Sequence, residues 1–188
     1  MQNIRLSTGL ASFQAALSDA FAPVDLESRI EEEKFRWSIN NFDLEEVTLS
    51  NLYCEYGFKG QRRKTASFDK VPSNLVLMLV NRGAFHVSQG AGTTYCKEGC
   101  LVVLDNSGPK LEQLDSTELL SVSIPYDLNN QRHRDIRAIC GRSIDARTGW
   151  PSLLKQFLIN LWSERHQLKP VDSRVLLEIL DDMIVSSF

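Results

Sequence analysis

The chain has 188 residues, 43% of them hydrophobic and 24% charged, with a formal net charge of −3. This is ordinary globular material, enough for one domain or one domain with a helical appendage. It argues against a chain that holds DNA by itself, since Arg62–Lys64 is the only dense cationic run and phosphate contacts need a broader basic footprint.

Met1 to Ala20 carries no basic region followed by an apolar stretch, so no signal peptide is expected. Leu10, Phe13, Leu17 and Phe21 recur at helical spacing, with Ser7 or Thr8 placed as N-cap and Pro23 as terminator. After the charged run Glu31–Lys34 the pattern changes. Phe35–Ile39 and Val47–Leu49 alternate as strands do, and so does Leu52–Phe58 after an irregularity at Ser50–Asn51.

Leu75–Val80 is continuously apolar, as in a strand covered on both faces, and far too short to span a membrane. Arg82–Gly83 predicts a hairpin into Ala84–Gln89. Further strands are predicted at Thr93–Cys96, Leu101–Leu104 and Leu119–Ile124, separated by turns at 89–92, 98–99 and 105–109. Short strands spaced in this way indicate a sandwich or barrel.

Tyr126–Ile144 reads as mixed and partly helical, broken by Gly141. Two helices follow, at about 150–166 and 171–187. Trp150, Leu153, Leu154, Phe157, Leu158, Leu161 and Trp162 share one face of the first, with Thr148 as N-cap and Pro151 in its first turn. Leu176, Ile179, Leu180, Met183 and Ile184 share one face of the second.

Cys54, Cys96, Cys100 and Cys140 are unevenly spaced, and Cys96 with Cys100 has no second pair to complete a zinc site. Reduced thiols of a cytoplasmic protein are expected. No nucleophile elbow of the Gly-x-Ser-x-Gly kind is present. The glycine-rich 89–92 stretch reads as a turn, with no following helix or lysine to hold phosphate.

The order of helix, strands and helical hairpin resembles the regulatory domains of the AraC/XylS family of bacterial transcription factors, in the subgroup with an N-terminal cupin-like sensing domain. The strings that carry it are Leu75–Gly83, Lys97–Asp105 and Pro109 in the barrel, then Leu153–Trp162, Leu168–Pro170 and the apolar face to Ile184. The resemblance runs from about Leu6 onward. It implies a mainly β fold with α: a cupin-like (jelly-roll) β-barrel over 35–125, a short helix and lead-in over 1–34, and a helical region with the hairpin over 126–188. It further implies a domain that binds a small-molecule effector, forms a homodimer through the hairpin, and meets DNA only through a helix-turn-helix part not contained in this chain.

Residues that would line a barrel site are Trp37, Tyr53, Tyr56, Met78, Phe85 and His86, with Arg62 or Arg63 to pair a carboxylate. The dimerisation candidates are Trp150, Leu154, Phe157, Leu158, Leu161 and Trp162. Two rival readings are a cupin enzyme and a metal-free interaction module. Cupin enzymes gather histidines on one strand, whereas His86, His133 and His166 lie far apart with no His-x-His, so no metal, no cofactor and no catalytic residue is expected.

Overall fold

The computed structural model describes residues 6–20, 23–62, 74–89, 92–106, 110–113, 116–127 and 129–188. Among the described residues the chain begins with β1 (Ser7–Thr8), α1 (Leu10–Ala20), β2 (Val24–Glu27), β3 (Arg36–Leu44), β4 (Val47–Cys54) and β5 (Phe58–Arg62). It continues with β6 (Asn74–Arg82), β7 (Ala84–Gln89), β8 (Gly92–Lys97), β9 (Cys100–Asp105), β10 (Lys110–Gln113) and β11 (Thr117–Pro125). Last come α2 (Gln131–Ala138), β12 (Ser143–Asp145), α3 (Gly149–Glu164) and α4 (Ser173–Ser187).

These strands pair antiparallel in two sheets, ordered β1-β3-β4-β11-β6-β9-β12 and β2-β5-β10-β7-β8. The expectation of a mainly β jelly roll with helices holds, but the barrel is two facing sheets rather than one closed sheet.

The larger sheet is covered on both faces, which explains its continuous apolar strands. Side chains alternate along β6: Leu75, Leu77 and Leu79 join one buried cluster with Leu154, Leu158, Leu161, Leu176, Leu180 and Ile184 of the C-terminal helices. Val76, Met78 and Val80 join a second cluster with Phe58, Phe85, Val87 and Cys96 of the smaller sheet. The result is three layers: helices, larger sheet, smaller sheet.

Several boundaries differ from expectation, each for a tertiary reason. Ser50–Asn51 does not interrupt β4, because both residues sit in a central strand paired on one side to β3 and on the other to β11. The predicted strand 52–58 is cut in two, since β4 belongs to the larger sheet and β5 to the smaller. Gly83 likewise marks a corner rather than a hairpin: β6 lies in the larger sheet, while β7 pairs with β8 and β10 in the smaller. Gly99 makes the return corner from β8 to β9, and both glycines take positive φ, 83° and 82°.

Ser7 and Thr8 pair with Trp37 and Arg36 instead of capping α1. The cap comes from far away, as Glu32 Oε1 accepts from Ala11 N at 2.9 Å, which also favours a negative charge at the helix start. Phe13 of α1 is fully buried against Phe35, Trp37 and Phe58, with ring centroids 5.4, 5.4 and 5.2 Å away. Phe21 lies outside the described residues.

The helical hairpin is found where its periodicity places it, each helix bounded within a few residues of expectation. Thr148 precedes α3 without a side-chain cap bond. The link between the helices is held by Asp172 Oδ2, which accepts from Lys169 N at 2.8 Å. No helix among the described residues is long and apolar enough to cross a membrane.

Candidate functional site

The inner face of the larger sheet is apolar towards the Trp37 end of β3 and polar towards its Asn41–Asp43 end. At the apolar end Trp37 Nε1 donates to Gly9 O at 3.1 Å and Ser12 Oγ at 3.2 Å, so the indole is fixed under α1. Further along the same inner face, a cross-strand row runs Asn41, Ser50, Ser121, Met78, Val102 from β3 to β9. The next row is Asp43, Thr48, Ser123, Val76, Leu104.

Hydroxyl side chains thus stand where the rest of this wall is apolar. Thr48 Oγ1 donates to Asp43 Oδ1 at 2.8 Å, and Asn74 Nδ2 donates to Ser123 Oγ at 3.1 Å. Ser50 is 1% exposed, and its Oγ has no hydrogen-bond partner among the described residues. A buried hydroxyl left unpaired costs about 1–3 kcal/mol, so this group is poised to receive a polar ligand atom or a water. Asn41 and Asp43, at the β3–β4 end, are exposed to solvent and form the rim.

The structure gathers Trp37, Met78 and Phe85 into the inter-sheet cluster, with Tyr56 packed at its margin. Tyr53 alternates to the opposite face of β4, between the inner-face residues Leu52 and Cys54. His86 alternates to the outer face of the smaller sheet, where its ring lies tilted against exposed Tyr95 with centroids 5.1 Å apart. The side chain of Arg62 and all of Arg63 lie outside the described residues. Sequence reasoning missed Ser50, Ser121 and Ser123. Their signal was present as small polar residues at alternate positions of otherwise apolar strands, but which face they occupy needed the register.

Two of the cysteines are held as thiols. Burial pushes the thiols of Cys96 and Cys140 up to about 12, so both stay protonated at neutral pH. One histidine is instead engaged in a buried network. His133 Nδ1 accepts from Asp127 N at 2.9 Å, and its Nε2 faces Asp181 Oδ2 at 3.1 Å. With Nδ1 an acceptor, the ring is the neutral Nε2–H tautomer donating to the carboxylate.

Burial raises the Asp181 pKa, with nearby His133 pulling the other way. A raised folded-state value means that this group contributes stability below its unfolded pKa, near 3.9, and that the contribution is lost as pH rises through the folded pKa. Asp181→Asn keeps an acceptor for His133 without the buried charge. It is expected to match or exceed the parent in urea stability at pH 7 and to lose that advantage near pH 4. A variant clearly weaker at pH 7 would show that an imidazolium–carboxylate pair holds the contact.

Of the dimerisation candidates, Leu154, Leu158 and Leu161 are buried in the chain's own core against the larger sheet. Trp162 is partly buried, with the Arg165 guanidinium 4.1 Å above its ring. Phe157 is partly buried, and Trp150 is 54% exposed. Leu153, which sequence reasoning left out of these candidates, is 56% exposed beside it, and Val171 just before α4 is exposed together with Val175 and Ile179 on α4.

The family model of the AraC-binding-like domain matches residues 13–188. The chain belongs to that family. Among solved structures, this AraC-binding-like domain is similar to the AraC-like transcriptional activator CuxR: TM-score 0.77, 13% identity, 97% of this chain and 69% of that one covered. At that identity the likeness shows the fold alone. It is also similar to a cupin domain of an XRE family transcriptional regulator from Enterobacter cloacae, with TM-score 0.40, 7% identity and coverage of 48% of this chain and 98% of that one. An HTH_3 family transcriptional regulator from Vibrio cholerae gives TM-score 0.40 and 7% identity over 48% of this chain and 52% of that one. Scores at that level add nothing to the fold assignment. A comparison with curated protein sequences gives no match.

Proposed function

We propose that this AraC-binding-like domain is the regulatory, non-enzymatic part of a cytoplasmic AraC-type transcription factor. A small effector enters between the sheets at the Asn41–Asp43 rim and meets Ser50, Ser121, Ser123 and Met78, with Phe85 and the Trp37 end behind them. Two copies associate through the outward faces of α3 and α4, and DNA is contacted by a separate helix-turn-helix part. The observation that carries the reading is the buried, unpartnered Ser50 hydroxyl within a polar row of an otherwise apolar inner wall. An effector acts here through its differential affinity for two arrangements of the domain.

The test for the effector is a thermal and chemical denaturation screen with small aromatic acids, amines and sugars. A ligand at about a hundred times its dissociation constant should add about 2.7 kcal/mol, with Ser50→Ala weakening the response. A screen without any shift leaves the domain as a protein-interaction module.

Association is tested by sedimentation. Leu153→Asp, at an exposed site, is expected to give a folded monomer from a dimeric parent. The same change at Leu161 would place a charge in the core and unfold the chain instead. A Leu153→Asp protein that stays dimeric would remove this face from the interface.

A further inference from the structure

We infer that α2 is a coupling strut, and that His133 is the positioning residue through which the inner face of β11 governs the placement of α4. The inference rests on the proposed inter-sheet site for what is transmitted, and on the observed geometry for how.

β11 carries Ser121 and Ser123 on the inner wall, while Leu120, Val122 and Ile124 on its other face pack in the cluster that holds α3 and α4. The chain leaves β11 at Pro125, and Asp127 N donates to His133 Nδ1 at 2.9 Å. The opposite nitrogen of the same ring holds Asp181 Oδ2 of α4 at 3.1 Å. Both ring nitrogens are therefore committed, in a residue that is 7% exposed, and the imidazole spans from the exit of β11 to α4.

The surroundings fix the ring further. Tyr126 stacks on it at 6.1 Å, and Arg132 pairs with Asp182 of α4 at 2.9 Å. Arg137, at the other end of α2, lies 5.3 Å over Tyr126 and bonds Asp105 at the end of β9 at 2.9 Å. Asp105 in turn exchanges backbone bonds with the amide of Gln89 on β7, at 2.6 and 3.1 Å, so the smaller sheet is tied to the same helix. A shift of either inner wall has a bonded route into α2, and His133 is its buried outlet to α4, beside the solvent-exposed Arg132–Asp182 pair.

A merely structural histidine would stabilise α4 equally whatever stands at position 121. A coupling histidine makes the response of α4 depend on position 121. The probe is Ser121→Val, which changes the inner wall without any ligand, read by amide hydrogen exchange at 176–184 with α3 as internal reference. His133→Gln retains a donor towards Asp181 and loses the acceptor for Asp127; His133→Asn retains the acceptor and loses the donor.

In the parent, Ser121→Val should change protection of α4 relative to α3 by roughly two- to thirtyfold, the span found for residues along such routes. In both His133 backgrounds the relative change should vanish. Persistence of the α4 response in either background, or no relative response in the parent, would overturn the inference. Sedimentation of the same proteins separates the two readings: a monomer that still shows the coupled exchange refutes the dimer but not the strut.

Discussion

Gly83→Ala should be among the most damaging single-methyl additions in this protein, lowering stability by about 2–5 kcal/mol. The residue sits at φ +83°, where an L side chain costs about 1–2 kcal/mol. An added Cβ would also lie 2.2 Å from Ser116 O and 3.0 Å from Thr117 Cα. Those are backbone atoms at the entry of β11, so no rotamer change relieves the overlap, and overpacking of this kind costs a further 1–3 kcal/mol or so. Gly99→Ala is the matched control, with φ +82° and nothing within 4 Å of the added atom. It should lose only the conformational part, about 1–2 kcal/mol. Urea midpoints at unchanged m-value measure the difference. Equal losses would mean that the Gly83 corner yields without disturbing β11.

The second large effect separates two neighbouring leucines. Leu154 is fully buried between α3 and the larger sheet, while Leu153 is 56% exposed. Leu154→Ala should cost about 2–5 kcal/mol, from lost transfer energy plus the cavity left behind. For a chain of this size that lowers Tm by roughly 4–20 °C. Leu153→Ala in the monomer should stay within about 0.5 kcal/mol, as surface changes do. One residue step rotates the side chain about 100° around the helix, and that rotation alone decides which leucine the core receives. Similar losses for both would mean that α3 is packed on two sides within a single chain.

The same contrast shows why only part of the candidate site was legible. Trp37, Met78 and Phe85 were readable as inner-wall residues, because large apolar side chains on strands fall on the buried face. His86 was assigned to the wall on its residue type. Its neighbours Phe85 and Val87 took the inner face, which left His86 outside. Ser121 and Ser123 were passed over as small polar residues. Their meaning came from pairing opposite Ser50 and Thr48 on the neighbouring strand. His133 was set aside because it lies far from the other two histidines, and nothing near it in the sequence reveals Asp181, 48 residues away, as its partner.

By itself the sequence determined the kinds of element and their order. A helix near the start, short strands, then two amphipathic helices follow from local hydrophobic period, which each segment carries within itself. It also determined that some strands are covered on both faces, since Leu75–Val80 offers no polar side to water. The tertiary structure decided the rest: a corner in place of a hairpin at Gly83, a change of sheet at the Gly99 turn, a helix cap supplied by Glu32, and hydroxyls aligned across β4 and β11. It also decided that Leu154, Leu158 and Leu161 serve the chain's own core while Trp150 and Leu153 remain on the surface. The physical reason is that period is a local property, whereas register, sheet membership and the partner of a buried polar group depend on segments distant in the chain.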